Sequence, residues 1–352
     1  MKDGSHYNIF KRPRRFVSAF RFLSACAFWV MIALVCGCVK APAPRPPLRI
    51  AFDVWPGFAY VYIAQEKGFF KQNGVVVDLV LKKSYSEAQK LYTDGAVDAF
   101  FGVYSDAIYH DSESVPTKVV WAFNYSKSSD AIIGKAEYAS LKDLKGKRVG
   151  FEGVNSFSQF FVLRALKDIA GLSESDVYFE NVPGISVIAA LDGNSVDAAH
   201  TWEPFLEAAL QKGYKILAKA GDVPGTITDV FACAERVVQQ RPDDIQAVVC
   251  SLSQARDFLR FNKTEALAIM ARAESIDSQT IGEALAGIEL LTLEENYNAM
   301  TRQDSPVSLF RLGKDISSFY LERGQLSVVP DISEIVDSRF VRTLYTRKGG
   351  AK

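Results

Sequence analysis

The sequence has 352 residues, of which 48% are hydrophobic and 23% are charged, and its formal net charge is zero. This composition supplies enough apolar material for one or two packed cores and excludes an intrinsically disordered chain. The balanced charge also argues against a nucleic-acid-binding protein, which normally carries a basic surface.

The first 37 residues have the pattern of an export signal. Basic residues up to Arg21 are followed by a charge-free stretch from Phe22 to Val35. A helix needs roughly 20 apolar residues to cross a bilayer, so this shorter stretch favours a cleaved signal over a permanent anchor. The Val-Cys-Gly-Cys sequence resembles a bacterial lipobox, which predicts that Cys38 becomes the lipidated first residue. An ordinary signal peptide and an uncleaved anchor are the alternatives.

Residues 38–47 contain four prolines and predict an extended, semi-rigid tether before a folded part that starts near Leu48. Removal of residues 1–37 takes away six of the 41 basic and one of the 41 acidic side chains, which leaves a net charge of −5. Cys233 and Cys250 then remain besides Cys38. They either pair in an oxidising compartment or stay separate thiols, and the sequence leaves both open.

From Leu48 onward, short β-rich runs alternate with amphipathic helical stretches, a pattern that is typical of layered α/β architecture. The predicted strands of the first set are Leu48–Phe52, Val75–Leu81, Asp98–Gly102 and Thr117–Asn124. The predicted helices between them are Ala59–Phe70, Ser86–Thr93 and Ser105–His110.

A second set of elements repeats the plan of the first. Its predicted strands are Arg148–Phe151, Val177–Val182, Asp197–Thr201 and Lys215–Ala218, and its predicted helices are Phe157–Ala170, Ser186–Leu191 and Glu203–Gln211. In each set, 49 residues separate an arginine in the first strand from an aspartate at a later strand, Arg49 from Asp98 and Arg148 from Asp197. We interpret the equal spacing as two lobes that are built alike.

The remainder of the chain has helical periodicity and shows no convincing strand. The predicted helices are Asp243–Phe261, Lys263–Ala273, Ser278–Leu285 and Ser308–Arg323. Since helices alone form no sheet, we expect this region to pack on the first lobe, after crossovers near Asp130–Lys135 and Asp229–Glu235. Lobe one then comprises residues 48–132 and 233–352, and lobe two residues 133–232. The cleft beneath such a hinge is where a ligand is held.

Several segments resemble the nitrate, taurine and aliphatic-sulfonate type of ABC-importer substrate-binding proteins. The matching segments are Leu48-Arg49-Ile50 with Trp55-Pro56-Gly57, Ala64-Gln65-Glu66-Lys67-Gly68-Phe69-Phe70, Gly95 with Val97-Asp98-Ala99, Asp143-Leu144-Lys145-Gly146-Lys147-Arg148-Val149-Gly150, and Val196-Asp197-Ala198 with Trp202-Glu203-Pro204. The resemblance implies a type II periplasmic binding protein, with two α/β lobes joined by two crossovers.

The resemblance also implies a function without catalysis. It implies an exported monomer facing the periplasm or the cell exterior, which delivers a small solute to permease and ATPase subunits. The lipid anchor is the expectation from the lipobox pattern at Cys38. No cofactor or metal is expected. The eukaryotic pyrimidine-synthesis enzymes of thiamine production share this fold, but the histidine and cysteine-rich arrangements that the resemblance implies for them are missing. We read His110 as a surface residue and His200 as a core or cleft-wall residue.

Other function classes find little support in the sequence. Motifs for nucleophilic hydrolysis, phosphate binding and metal binding are missing. A sensory ligand-binding module would need a signalling or membrane-spanning segment after the lobes, and the sequence shows none up to Lys352.

Ligands of open α/β sheets bind beyond the carboxyl ends of the strands, which identifies candidate ligand-binding residues. In lobe one these candidates are Asp53, Trp55, Ser84, Tyr85, Ser105 and Asp106. In lobe two they are Asn155, Ser158, Trp202 and Glu203, and Asp130 and Asp229 flank the crossovers. The serines and acids also suit helix caps, and the tryptophans also suit a core.

The candidate loops are acidic, with Lys82 and Lys83 as the nearby cations. An oxyanion would be expected to meet Arg, Lys or helix amino termini, whereas buried carboxylates need a cationic partner. The sequence therefore favours a small amine or guanidinium ligand held among aromatic faces. Sulfonate, taurine, nitrate and a thiamine-pyrimidine precursor are the alternative ligands.

The signal pattern predicts that Cys38 carries lipid. Metabolic labelling with a palmitate analogue should mark the wild-type protein and leave Cys38→Ser unlabelled. Equal labelling of the two proteins would exclude this acylation site.

Overall fold

The computed structural model describes Met1, residues 45–305 and residues 307–349. The signal segment, Cys38 and the start of the tether lie outside the described residues. The described residues from Pro47 onward form one compact unit. No helix within the described ranges combines the length and the apolar character needed to span a membrane.

Eleven strands among the described residues form two sheets. Their bounds are Leu48–Asp53 (β1), Val77–Lys82 (β2), Ala99–Val103 (β3), Thr117–Ser126 (β4), Asp130–Gly134 (β5), Arg148–Phe151 (β6), Tyr178–Asn181 (β7), Ala198–Trp202 (β8), Lys215–Lys219 (β9), Thr228–Ala234 (β10) and Ile288–Leu290 (β11). Sheet one has the order β2-β1-β3-β10-β4-β11, and sheet two has the order β7-β6-β8-β5-β9. The central strands β3, β5, β8 and β10 are buried along their whole length, which agrees with their apolar sequences.

The two sheets share one pairing plan, which confirms the predicted duplication. In sheet one, β1 pairs in parallel with β2 and β3, and β3 pairs antiparallel with β10. In sheet two, β6 pairs in parallel with β7 and β8, and β8 pairs antiparallel with β5. The 49-residue spacing marks the same contact twice. The Arg49 backbone N–H donates to the Asp98 carboxylate at 2.9 Å, and the Arg148 backbone N–H donates to the Asp197 carboxylate at 2.9 Å.

Two short passages join the sheets, and they run beside each other. The chain leaves β4 and enters β5 through residues 127–129, and it returns from β9 to β10 through residues 220–227. The Gly221 N–H donates to the Lys127 carbonyl at 2.7 Å, and the Ser126 N–H donates to the Ile227 carbonyl at 3.2 Å. The two passages thus form a paired hinge.

The predicted crossovers near Asp130–Lys135 and Asp229–Glu235 were wrong by a few residues. Both segments are strands, because β5 pairs with β8 of sheet two and β10 pairs with β3 of sheet one. The predicted lobe boundaries at 132/133 and 232/233 therefore fall inside strands. The sequence reasoning missed them because strands that are buried on both faces show no alternation of apolar and polar residues.

Fifteen α-helices among the described residues cover the sheets. Their bounds are Val61–Glu66 (α1), Phe69–Gln72 (α2), Tyr85–Thr93 (α3), Tyr104–Glu113 (α4), Phe157–Ala165 (α5), Val187–Asp192 (α6), Phe205–Gln211 (α7), Glu235–Gln240 (α8), Pro242–Phe261 (α9), Lys263–Glu274 (α10), Ser278–Ala286 (α11), Leu293–Thr301 (α12), Leu309–Glu322 (α13), Ile332–Ile335 (α14) and Arg339–Arg347 (α15). The predicted helix Ala59–Phe70 is divided, because Gly68 adopts φ 73° between α1 and α2.

The carboxy-terminal region packs on sheet one as predicted, with α9 and α15 against β4. It also supplies β11, which pairs with β4, so the expectation that it contains no strand was wrong. Its helix α13 reaches lobe two, where the Phe319 ring lies 5.0 Å from that of Phe160. Cys233 and Cys250 are free thiols, with Cys233 buried.

The duplicated aspartates differ in their ion pairs, because Lys135 and Arg148 each lie 3.2 Å from the Asp197 carboxylate, whereas Arg241 lies 3.8 Å from the Asp98 carboxylate. Burial disfavours the Asp197 carboxylate, but hydrogen bonds from Arg148 and Lys135 outweigh it and lower the pKa of Asp197 to about 2. At neutral pH, Asp197→Asn should therefore reduce the free energy of unfolding by about 1.5–3 kcal/mol.

The pH dependence and a matched variant test this prediction. Because the pKa of Asp197 is depressed, its stabilisation is present above about pH 4 and is lost as the pH falls toward about 2. Denaturant unfolding should show the wild type and Asp197→Asn converging over this range. Asp98→Asn is the matched substitution in lobe one and should cost less. Equal losses for both variants at every pH would contradict this assignment.

Candidate functional site

A cavity lies where both sheets meet the hinge. Its lining residues are Asp53, Trp55, Phe58, Tyr85, Val103, Asp130, Phe157, Trp202, Ile227 and Asp229. Asp53, Val103 and Trp202 end β1, β3 and β8, so the cavity lies at the carboxyl ends of parallel strands, as expected. The centre of a water-sized sphere can occupy about 20 Å³ inside this cavity, so the cavity has room for about one water molecule. A larger ligand needs more space than the cavity provides in this structure.

The turn after β1 brings Trp55 into the cavity wall. Trp55 is 4% exposed, and its indole N–H donates to the Asp229 carboxylate at 2.5 Å. Gly57 is required beneath this ring, because a Cβ at that position would collide with the indole and with the Asn124 amide. The Trp-Pro-Gly segment therefore fixes the position of the Trp55 ring in the cavity wall, and the ring in turn holds the Asp229 carboxylate.

Two of the three acidic side chains lie at the start of the strands that follow the hinge passages. Asp130 is the first residue of β5 and Asp229 is the second residue of β10, and each is 2% exposed. The third, Asp53, ends β1 and is 4% exposed. The three carboxylates share the cavity although their closest spacing in the sequence is 77 residues, between Asp53 and Asp130.

Burial and neighbouring charges raise the pKa values of Asp53 and Asp229. Burial first, and then the charge of Glu152, raise the pKa of Asp53 well above its usual value. Burial and the charge of Asp130 raise the pKa of Asp229. None of the ten residues that the structure places around the cavity is Lys, Arg or His. The site therefore lacks a cation that would balance its own carboxylates.

Asp130 has a carboxylate oxygen that is available to a ligand, because its Oδ2 atom is buried without a hydrogen-bond partner among the described residues. Its Oδ1 atom lies 3.3 Å from the His200 Nε2 atom. An unpartnered carboxylate oxygen in a cavity wall is a ready acceptor for a ligand N–H group.

Asp106, predicted to contact ligand, does not line the cavity. It lies behind Tyr85, whose hydroxyl donates to the Asp106 carboxylate at 2.5 Å and accepts from the Val103 N–H at 3.2 Å. Burial raises the pKa of Asp106 to about 7 despite this bond and one from the Phe157 backbone. Asp106 thus holds Tyr85 in the wall.

Five other predicted residues also lie off the cavity lining. Ser84 caps α3, and Ser105 is buried beside Asp106. Asn155 joins the lobes through a 2.9 Å bond to the Tyr109 hydroxyl, and the Ser158 hydroxyl contacts the His200 Nδ1 atom at 2.8 Å. Glu203 accepts from the Glu207 N–H at 3.1 Å, as a cap does. Burial raises its pKa to about 7.

The predicted list missed the apolar lining residues Phe58, Val103, Phe157 and Ile227. Phe157 was detectable, because it opens a helix just after the β6 strand. His200 was read as a core or cleft-wall residue, and it is fully buried against the cavity wall. His110 was read as a surface residue, which was wrong: it is 8% exposed and contacts Gln89 at 2.8 Å.

Glu274 is a buried acid that the sequence did not reveal. It ends α10, is 7% exposed, and neither of its carboxyl oxygens makes a full hydrogen bond within the described structure. Burial raises the pKa of Glu274 to about 8, and the nearby backbone N–H of Trp55 only partly opposes this rise. When Glu274 is ionised, its charge raises the pKa of Asp53 further. The carboxy-terminal region therefore contributes to the electrostatics of the site.

The fold and the cavity define a two-lobed α/β protein with an acidic, aromatic site at its hinge. The model of the NMT1/THI5-like family matches residues 55–266, and the chain belongs to this family. Among curated relatives, a protein of Brucella abortus (strain 2308) named as a binding protein is 27% identical over 263 residues, which are 72% of this chain and 80% of the relative. The taurine-binding periplasmic protein of Escherichia coli (strain K12) is 24% identical over 284 residues, 78% of this chain and 86% of the relative.

Solved structures give the same fold. The periplasmic aliphatic sulphonate binding protein SsuA of Escherichia coli matches with a TM-score of 0.65 and 19% identity, over 84% of this chain and 93% of the other. The desulfurization enzyme DszB matches with a TM-score of 0.64 and 16% identity, over 86% of this chain and all of the other. The type II periplasmic binding protein fold is thereby confirmed, and it is one that also carries enzymes.

The raised pKa of Glu274 predicts a pH-dependent gain of stability in Glu274→Gln. In the wild type the folded state favours the protonated acid, so stability is lost as the pH rises from about 4.5 to about 8. Glutamine has no charge to bury, so its melting temperature should exceed that of the wild type by roughly 5 °C or more above pH 8.

Thermal unfolding across this pH range measures the effect. Glu265→Gln, an exposed position on the same helix, is the control and should show no gain that grows with pH. A constant offset between Glu274→Gln and the wild type at all pH values would show that Glu274 is not held protonated.

Proposed function

We propose that this protein is the extracytoplasmic substrate-binding component of an ABC importer, anchored through lipid on Cys38, and that its ligand is a small organic cation. Membership of the NMT1/THI5-like family and the binding proteins among its relatives support the transport role. The export signal pattern in residues 1–37 supports the location outside the cytoplasm. The ligand class rests on the chemistry of the cavity.

The observation that carries the ligand class is the set of three buried carboxylates around one small space. Asp53, Asp130 and Asp229 are each at least 96% buried, and no basic side chain is among the described lining residues. A charged carboxylate is costly to bury without a partner. A bound cation would supply that partner, and it would release protons that the raised pKa values of Asp53 and Asp229 retain in its absence.

The aromatic walls suit the same ligand. Trp55, Phe58, Tyr85, Phe157 and Trp202 provide ring faces or edges around the cavity. Aromatic faces attract cations, and the attraction is strongest where water is excluded. Together with the carboxylates, the rings favour a cation that also carries apolar groups.

The same geometry disfavours an oxyanion. Sulfonate or nitrate needs Arg, Lys or backbone N–H donors, whereas the lining offers three acids. Lys82 lies 3.9 Å from Glu87, and neither Lys82 nor Lys83 lines the cavity. The taurine and sulfonate specificity of the relatives therefore does not follow for this chain.

Binding without turnover is the better-supported chemistry. The described lining contains no Ser, Thr, Cys, Lys or His side chain, so the side chains there with nucleophilic atoms are the three aspartates and Tyr85, whose hydroxyl donates to Asp106. The paired hinge provides what a binding protein needs, which is closure around a trapped solute. A thiamine-pyrimidine precursor is the second candidate ligand, because an aminopyrimidine ring offers N–H donors to carboxylates and a flat face to the tryptophans.

Calorimetry over a defined ligand panel tests the proposal. The panel contains n-propylamine, choline, n-propylguanidine, formylaminopyrimidine, taurine, propane-1-sulfonate and nitrate. n-Propylamine, choline and n-propylguanidine should bind the wild type, and the anions propane-1-sulfonate and nitrate should not. Asp130→Asn should weaken cation binding by roughly 10- to 100-fold, since it removes a charge-assisted hydrogen bond.

Controls separate the outcomes. Asp315→Asn changes an exposed aspartate on α13 and should leave every affinity unchanged. Mass spectrometry of the recovered probe should find it unaltered, whereas an accumulating product would favour an enzyme. Tight taurine or sulfonate binding that survives both Asp130→Asn and Asp53→Asn would reject the cation proposal.

A further inference from the structure

His200 lies beside the cavity without lining it, at a position fixed by sheet two. It is on β8, where Trp202 pairs with Asp130 and His200 pairs with Ile132 of β5. Residues two apart on a strand share a face, so His200, Trp202 and Asp130 lie on the same side of the sheet. His200 is fully buried, and its Nε2 atom faces the Asp130 Oδ1 atom at 3.3 Å.

The contacts of Ser158 and Asp130 together favour one assignment of the His200 ring proton. The Ser158 hydroxyl oxygen accepts from the Glu152 backbone N–H at 2.9 Å and lies 2.8 Å from the His200 Nδ1 atom. The Ser158 hydroxyl hydrogen can bond with Nδ1, and we assign it there because the opposite tautomer would place the Nε2 lone pair against the Asp130 Oδ1 atom. The ring proton is consequently on Nε2, directed toward Asp130.

Three aromatic rings hold the imidazole in this orientation. Its centroid lies 5.6 Å from that of Phe157, 5.0 Å from that of Phe161 and 5.4 Å from that of Trp202. Two of these rings, Phe157 and Trp202, also form the cavity wall. The Nε2–H group therefore stays fixed relative to both the wall and the carboxylate, although it does not reach full hydrogen-bond geometry.

The two oxygens of Asp130 differ as a result. Oδ1 faces the His200 N–H group, and Oδ2 is buried without a partner. A guanidinium group binds a carboxylate best through two parallel N–H···O bonds that use both oxygens. An ammonium group needs only one oxygen as its acceptor.

We infer that His200 positions Asp130 as a one-oxygen acceptor and thereby makes the cavity select alkylammonium over guanidinium ligands. This inference rests on the proposed function and narrows its ligand class. His200 acts through Asp130, so it is a positioning residue. Loss of the Nε2 donor would free Oδ1 and allow the two-oxygen contact that guanidinium prefers.

Affinities for two matched probes test the inference. n-Propylamine and n-propylguanidine hydrochlorides carry the same alkyl chain and differ in the head group. Near neutral pH, the wild type should favour the amine by about tenfold, which corresponds to one charge-assisted hydrogen bond. His200→Phe keeps an aromatic ring but removes the donor, and it should reduce this preference by about fivefold or more.

Two further variants separate the donor from the packing. Glutamine places an amide N–H near the position of Nε2, so His200→Gln should retain the preference of the wild type. Ser158→Ala leaves the ring in place but removes the hydroxyl that contacts Nδ1, and it should lower the preference even if His200→Phe does not fold.

The outcomes distinguish this inference from the proposed function. An unchanged preference in Ser158→Ala and in folded His200→Phe would overturn the role of His200, and so would a loss in His200→Gln as large as in His200→Phe. In either case, cation binding by the wild type would leave the proposed function intact. Failure of the wild type to bind either probe would instead reject the proposed function.

Discussion

Each sheet is completed by a strand that the chain supplies only after it has crossed from the other sheet. β5 joins sheet two directly after the first passage, and β10 joins sheet one directly after the second. The passages are hydrogen-bonded to each other, so the strands begin side by side. This arrangement creates the hinge and brings Asp130 and Asp229 to the same cavity.

The cost of that placement is electrostatic. Three acids and five aromatic rings line a space that holds about one water molecule. Ionised carboxylates repel each other there, and burial raises the pKa values of Asp53 and Asp229. A folded domain tolerates such a cluster at a functional site because cores elsewhere supply the stability. Here, the carboxy-terminal helices and both sheets provide those cores.

The shared fold does not by itself separate binding from catalysis. Proteins with the architecture of this chain include a sulphonate-binding protein and a desulfurization enzyme. Function therefore has to be argued from the site, because a fold supports many kinds of chemistry. The aromatic and acidic lining, together with the hinge, favours capture of a cation. The surroundings of His200 suggest how such a site would distinguish one cationic head group from another.

Local sequence pattern determined the duplicated α/β plan and about half of the candidate site. The equal Arg49–Asp98 and Arg148–Asp197 spacing indicated two lobes built alike, and the structure shows the same backbone contact at both pairs. Asp53, Trp55, Tyr85, Asp130, Trp202 and Asp229 were predicted and line the cavity. They were accessible to sequence reasoning because each lies near the end of a predicted strand or at the edge of a predicted crossover, and such positions follow from local propensity and turn residues.

Only the tertiary structure decided which sheet β5 and β10 join and which acidic residues line the cavity. β5 and β10 are buried on both faces, so no alternation of apolar and polar residues marks them, and their sheet membership follows from pairing with distant strands. Asp106 and Glu203 match the local pattern of site residues, yet packing places them behind the cavity lining. His200 and Glu274 gain their importance from neighbours that are remote in the sequence. Burial and charge are properties of the assembled surroundings, and a single chain segment does not specify them.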